Sequence, residues 1–224
     1  MKKVKLIQIG EDIEADNRAE AARVRRILAE SSTYMMNLMS SPGAGKTSLI
    51  LRTAEELKQS LRIVVVEADM DSQVDAEKLL AAGVPAVQLR TGGFCHADAH
   101  MISKTLPALE LDRSDLLILE NVGNLICPAQ TDTGAHLNVM ILSVPEGDDK
   151  PLKYPLMFRQ CEALVVNKTD YLRMGDFDME ALRRRVANLN PDMQIFEVSC
   201  KTGRGLADWS EWLLRKIGAG EARQ

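Results

Sequence analysis

Aromatic side chains are scarce in this 224-residue sequence, at 4% of the residues. That leaves too few rings for a platform on which nucleic-acid bases stack. A dominant charge is also missing. The 28 lysines and arginines are interspersed among 32 aspartates and glutamates, for a net charge of −4, so no general attraction to DNA or RNA phosphate is expected. No apolar run approaches the roughly 18–20 residues that a membrane span requires. Met1 to Gly10 carries lysines but only a short apolar stretch before Glu11 and Asp12, unlike an export signal. A cytoplasmic protein with neither a nucleic-acid nor a membrane partner is therefore expected. Histidines number three and cysteines four. In a reducing compartment the cysteines are expected as thiols or metal ligands rather than disulfides.

Hydrophobic residues make up 46% of the chain, enough for one α/β domain with a substantial core. Residues 11–31 read as an amphipathic helix with Ile13, Ala21, Val24, Ile27 and Leu28 on one face. Short apolar runs then recur at Tyr34–Met39, Ile63–Val66, Leu116–Leu119, Val139–Leu142, Leu164–Val166 and Ile195–Val198. Helical stretches are expected near 46–60, 73–82, 98–110, 151–160, 178–189 and 206–217. Strands alternating with helices predict a doubly wound, mainly parallel α/β sheet. The division expected is an N-terminal helical extension over 1–31 and a nucleotide-binding domain over 32–224.

Ser40-Ser41-Pro42-Gly43-Ala44-Gly45-Lys46-Thr47-Ser48 falls between the first strand and the next helix, where a phosphate-binding loop belongs. Gly43 and Gly45 let backbone N–H groups turn toward phosphate oxygens, and the helix dipole adds to the attraction. Ser41, Gly43, Ala44, Gly45, Lys46, Thr47 and Ser48 are the candidate phosphate contacts. Lys46 reaches the β- and γ-phosphates, and Thr47 ligates magnesium. Ser40 stands where the pattern begins with glycine. Asn167-Lys168-Thr169-Asp170 follows a later strand. A carboxylate at Asp170 accepts from both N1–H and the 2-amino group of guanine, and adenine would leave it unpaired. Lys168 covers the base with its aliphatic stem, and Asn167 ties this loop to the phosphate loop. Ser199-Cys200-Lys201 follows the last strand and resembles the Ser-Ala-Lys loop of GTPases, which offers a backbone N–H to guanine O6. The three motifs in this order predict a GTPase.

Two acidic segments supply the remaining chemistry. Asp69, Asp71 and Asp75 follow the second strand, with Asp69 or Asp75 expected to orient the attacking water and Asp71 expected as a helix cap or solvated loop residue. Glu120-Asn121-Val122-Gly123 occupies the place of the Asp-x-x-Gly segment of GTPases. Gly123 is expected to sense the γ-phosphate, and Glu120 and Asp75 to face magnesium. No arginine finger is evident, so hydrolysis by the chain alone should be slow. Separately, Cys95-His96 and Cys127 offer thiolate and imidazole groups suited to zinc or nickel. His100 lies four residues beyond His96 and is a candidate extra ligand. Cys161, Cys200 and His136 read as packed residues.

Together these residues resemble the HypB family of hydrogenase maturation GTPases, the nickel-insertion factors of [NiFe]-hydrogenases. The resemblance runs from about Met39 to Lys201. Its most distinctive pieces are Thr91-Gly92-Gly93-Phe94-Cys95-His96-Ala97-Asp98-Ala99 and Glu120-Asn121-Val122-Gly123-Asn124-Leu125-Ile126-Cys127-Pro128. It implies a SIMIBI-class P-loop fold, a homodimer in the GTP state, and a zinc or nickel site made by Cys95, His96 and Cys127. It also implies work with a HypA-type metallochaperone and a hydrogenase large-subunit precursor. Met1 to Gly10 holds neither Cys nor His, so the N-terminal Cys motif and the His-rich tract of some members are not carried over. Ala68 stands where the family often has glycine. The alternatives are an accessory GTPase of the urease or cobalamin-enzyme type, or a G-protein scaffold whose cysteines are structural. The urease factor carries its metal motif as Cys-Pro-His, unlike the Cys95-His96 and Cys127 contexts.

Overall fold

The computed structural model of the chain describes residues 9–221, and their side chains from 16 to 218. Met1 to Gln8, and the side chain of Ile13 on the expected apolar face, lie outside those residues. In chain order the principal elements are α1 (Ile9–Glu30), β1 (Tyr34–Ser40), α2 (Lys46–Leu57), β2 (Ile63–Asp69), α3 (Val74–Ala81), β3 (Ala86–Arg90) and α4 (Ala99–Thr105). They continue with β4 (Leu116–Glu120), β5 (Leu137–Ser143), α5 (Lys150–Lys153), α6 (Pro155–Gln160), β6 (Ala163–Asn167), α7 (Met179–Leu189), β7 (Gln194–Glu197) and α8 (Leu206–Glu221). No described helix is long and apolar enough to cross a membrane.

The seven strands form one sheet in the order β3-β2-β4-β1-β5-β6-β7, and every pairing is parallel. This is the doubly wound α/β fold expected. Its central strands are buried on both faces, which explains their nearly unbroken apolar runs. One face is covered by α2, α3 and α8. There Leu49, Ile50, Leu79 and Trp209 pack on Leu38, Val65, Ile118 and Val139. Trp209 is fully buried and its indole N–H donates to Thr53 Oγ1 at 2.9 Å, so its polar edge is satisfied. The other face is covered by α1 and α4, through Val24, Leu28 and Ile102, and by α6 and α7, through Phe158, Leu182 and Val186. Full burial of each such side chain contributes roughly 1.5–3 kcal/mol.

Three local readings are corrected. β3 has no counterpart among the expected strands: it is an edge strand, partly exposed, and Gln88 interrupts its apolar character. The helix expected over 98–110 ends at Thr105 and passes into a 3-10 turn at Leu106–Ala108, because Pro107 has no N–H to continue the ladder. Likewise 151–160 divides into α5 and α6 at Tyr154, immediately before Pro155. The strand order reverses at β1, with β4 on one side and β5 on the other. In open α/β sheets the crevice outside the strand ends at such a point is where ligands bind.

Candidate functional site

The phosphate loop leaves β1 at this point of reversal. Gly43 and Gly45 adopt φ values of 76° and 105°, a left-handed conformation that a side chain would oppose. A Cβ at Gly45 would overlap the Asn167 side-chain nitrogen. No side chain caps α2, so its first-turn N–H groups are free to meet phosphate oxygens. Lys46 Nζ lies 3.3 Å from Ser40 Oγ, and Thr47 Oγ1 donates to Glu120 Oε1 at 2.8 Å. Ser48 is exposed in the first turn of α2. On the far side of the loop, Ser41 Oγ donates to Glu146. Glu146 in turn accepts from Ser143 N and Oγ at 2.8 and 2.7 Å. Glu146 was not among the expected site residues, although Ser143-Val144-Pro145-Glu146 has the spacing of a capping box.

Glu120 ends β4, buried, with Oε2 unpaired. Burial pushes its carboxyl up to about 7 against the opposing pull of Thr47 and Lys46. Its neighbour on β2 is Glu67, also buried with Oε2 unpaired. Burial first, and then the Glu120 charge, push Glu67 up to about 7 as well. Glu67 was missed because it lies inside a strand without any motif. Two adjacent buried acids with unpaired oxygens, Glu120 bonded to Thr47 and Glu67 next to it on β2, have the donor chemistry of a divalent-cation site. Asp69 Oδ1 accepts from the N–H groups of Asp71 and Ser72 at 2.9 and 2.7 Å, so Asp69 caps this loop, and Asp71 is an exposed loop residue. Asp75 sits in the first turn of α3 and pairs with Lys78 at 2.8 Å.

The Asn167–Asp170 motif is tied to the phosphate loop by two contacts and to the Ser199–Lys201 loop by a third. Asn167 Nδ2 donates to Ala44 O at 3.0 Å, Asn167 Oδ1 accepts from Cys200 N at 3.2 Å, and Lys168 Nζ donates to Gly43 O at 2.8 Å. Asp170 Oδ1 accepts from Ser199 Oγ at 2.7 Å, which fixes the carboxylate's direction. Lys201 is exposed at the rim. Cys200 is buried and its thiol is pushed up to about 11, and Cys161 is fully desolvated and pushed up further. His136 Nδ1 accepts from Met35 N at 2.9 Å while its ring stacks on Tyr34. A concavity of about 1000 Å³ between α2, β2 and β3 contains none of the motif residues, so volume does not mark the nucleotide crevice.

Cys95, His96 and Cys127 are brought together, with one potential ligand atom from each lying within 4.8 Å of the others. The Cys95 thiol donates to Cys127 Sγ at 3.0 Å. That contact, together with burial, raises the Cys95 thiol above its ordinary range. Burial lowers His96, which favours the neutral imidazole that binds metals. Two sulfurs and one imidazole nitrogen suit zinc or nickel and leave room for a further ligand. His100 is not part of this group. α4 begins only at Ala99, capped by Asp98, which accepts from Met101 N at 2.8 Å. His96 therefore precedes the helix, and the i, i+4 relation expected between it and His100 does not hold.

A family model described as CobW/HypB/UreG, nucleotide-binding domain, matches residues 34–197. The hydrogenase maturation factor HypB of Azotobacter chroococcum mcd 1 is 44% identical over 96% of this chain and 70% of its own length. Among solved structures, HypB from Helicobacter pylori in complex with nickel superposes with a TM-score of 0.88 at 38% identity, covering 92% of this chain and 97% of that one. HypB from Archaeoglobus fulgidus superposes with a TM-score of 0.85, also at 38% identity, covering 91% and 99%.

Proposed function

Since the chain belongs to the HypB family of hydrogenase maturation factors, we propose that it is a GTP-hydrolysing metallochaperone. In this reading its nucleotide state governs how it holds nickel for the large-subunit precursor of a [NiFe]-hydrogenase. The observation that carries the reading is the reach of one short segment. A Cβ at Gly123 would lie 2.9 Å from Pro42 of the phosphate loop, while Cys127, four residues further on, meets Cys95. A nucleotide sensor and a metal ligand thus share a single connection. The nickel complex of the Helicobacter pylori relative supports nickel as cargo, and the same ligand set accepts zinc.

In catalysis, Ser41, Gly43, Ala44, Gly45 and Ser48 line the phosphates, and Lys46 meets the oxygens on which charge grows. Thr47, Glu120 and Asp75 face magnesium, which when bound would neutralise phosphate charge. Asp69 or Asp75 orients the water. Its oxygen bonds to the γ-phosphorus as the bond to the bridging oxygen breaks, leaving GDP and phosphate. Asn167, Lys168, Asp170 and the Ser199–Lys201 loop select guanine.

Exposed Phe94 and Ile126 immediately precede the two ligand cysteines. Apolar side chains beside an incomplete ligand set favour a second copy of the chain covering this face in the GTP state. A HypA-type metallochaperone and the hydrogenase precursor are the further partners, with residues 1–31 an extension of a GTPase domain over 32–224 and the cytoplasm as the setting.

The test is nickel and zinc affinity measured with GDP and with a non-hydrolysable GTP analogue, alongside mass by light scattering. Unequal affinities and a heavier species with the analogue are expected. Equal affinities and equal masses would leave a GTPase with an independent metal site.

A further inference from the structure

The segment that runs from Glu120 to Cys127 meets the segment carrying Cys95 and His96 through two asparagine side chains. Asn121 Oδ1 accepts from Ala97 N at 3.0 Å. Asn124 Nδ2 donates to Cys95 O at 3.3 Å. The backbone on both sides of His96 is therefore held by the residues that bracket Val122 and Gly123.

The two contacts differ mechanically. Asn121 is fully buried. Its backbone N–H donates to Leu38 O at 3.0 Å, and its Nδ2 donates to Asn37 Oδ1 at 3.1 Å. Asn37 Nδ2 continues the chain to Asn138 Oδ1 at 3.0 Å. Moving Asn121 would strand several buried polar groups, so this end is fixed to β1 and β5. Asn124 is half-exposed. Beyond the Cys95 carbonyl, its side chain bonds the Cys95 thiol and accepts from Ile126 N within its own turn, at 2.9 Å. It follows Gly123 directly, and Gly123 lies against Pro42.

We propose that Asn124 is the positioning residue that passes the location of Gly123 to Cys95 and His96, with Asn121 as its fixed pivot. A shift of Gly123 toward or away from a γ-phosphate displaces Asn124, pulls on the Cys95 carbonyl, and changes the aim of Cys95 and His96 relative to Cys127. The inference rests on the nucleotide-coupled metal binding proposed above and names the residue that carries it.

Asn17 provides a control. Its side chain accepts from Ala99 N at 3.1 Å and donates to Asp132 O at 2.8 Å. It thus steadies both metal-bearing segments from α1 without touching Val122 or Gly123.

The experiment measures nickel affinity of the full chain with GDP and with a non-hydrolysable GTP analogue, for wild type, Asn124→Ala, Asn124→Asp and Asn17→Ala. Asn124→Asp keeps the acceptor for Ile126 N–H and loses the donor to Cys95. A wild-type ratio between nucleotide states of roughly 5-fold or more is typical of coupled sites. Both Asn124 variants should bring that ratio to within about 2-fold of unity. Asn17→Ala should weaken nickel in both states by one common factor and keep the ratio. A wild-type ratio of one defeats the switch itself, and this inference with it. A coupled wild type whose ratio survives in both Asn124 variants overturns this inference alone. Circular dichroism matching wild type establishes that the variants fold, and Asn124→Asp stands in if Asn124→Ala does not.

Discussion

The side-chain amide of Asn167 occupies the space that a Cβ on Gly45 would need. The same amide donates to Ala44 O at 3.0 Å, so the Asn167–Asp170 motif rests directly on the Gly43–Gly45 turn. Gly45→Ala meets both this overlap and a φ of 105°. Backbone strain of that kind costs about 1–3 kcal/mol, and a free loop that relaxes to escape it binds roughly 5- to 150-fold more weakly. GTP binding should fall by at least that factor in titration calorimetry. An unchanged affinity would mean that the two motifs separate when nucleotide binds.

In the proposed function base choice rests on Asp170, whose carboxylate is oriented by Ser199 Oγ at 2.7 Å. Asp170→Asn replaces an acceptor with an amide that also donates, which matches xanthine better than guanine. GTP affinity should fall and XTP binding should be gained. Retention of wild-type GTP binding would remove Asp170 from the base.

Catalysis should separate two charged residues. Lys46→Ala is expected to reduce turnover by at least ~10²-fold through loss of charge stabilisation. Asp75→Ala should slow hydrolysis more than it weakens GTP binding. Its pairing with Lys78 is a surface contact, so the melting temperature should change little. A wild-type rate for Asp75→Ala would pass the role to Asp69 or Glu120.

Cys127→Ala should weaken nickel and zinc binding and abolish any dependence of metal affinity on nucleotide, while GTP affinity in metal-free buffer stays near normal. Isothermal titrations of metal into the GDP- and analogue-bound forms check both halves. Undiminished metal affinity would reduce the contact between Cys95 and Cys127 to packing.

Acidity gives a further handle. Glu67 is raised from 4.5 to about 7 in the folded chain. Between those values the native state binds more protons than the unfolded state, so this group's stabilisation is full below about pH 4.5 and is lost as pH rises to about 7. Without metal and nucleotide, the melting temperature of wild type relative to Glu67→Gln should decline across that window and then level off. A flat difference would show that Glu67 ionises normally in the folded protein.

The nucleotide motifs were legible because their chemistry fixes residue types at short spacing beside strand ends, as at Gly43–Thr47 and Asn167–Asp170. The Cys95, His96 and Cys127 set was suggested by residue type, but only the fold closes the gap between residues 95 and 127. What stayed hidden depends on strand order. Asn37 is one polar residue inside an apolar run, and nothing local reveals that it meets Asn121 and Asn138. Glu67 and Glu120 are adjacent only because β2 pairs with β4. His100 misled for a local reason: where α4 begins decides whether a spacing of four has helical meaning.

The position of β1 also bears on how the protein is made. Its two neighbours are β4 and β5, not β2. During synthesis the phosphate loop leaves the ribosome early, yet its strand finds both partners only after residue 143 has emerged. The Asn167 amide that braces Gly45 arrives later still. Non-local parallel pairing of this kind folds slowly, and chains in this interval expose unpaired apolar strands. The stretch from β1 to β5 is therefore an interval of synthesis in which the apolar β1 waits for both of its partners.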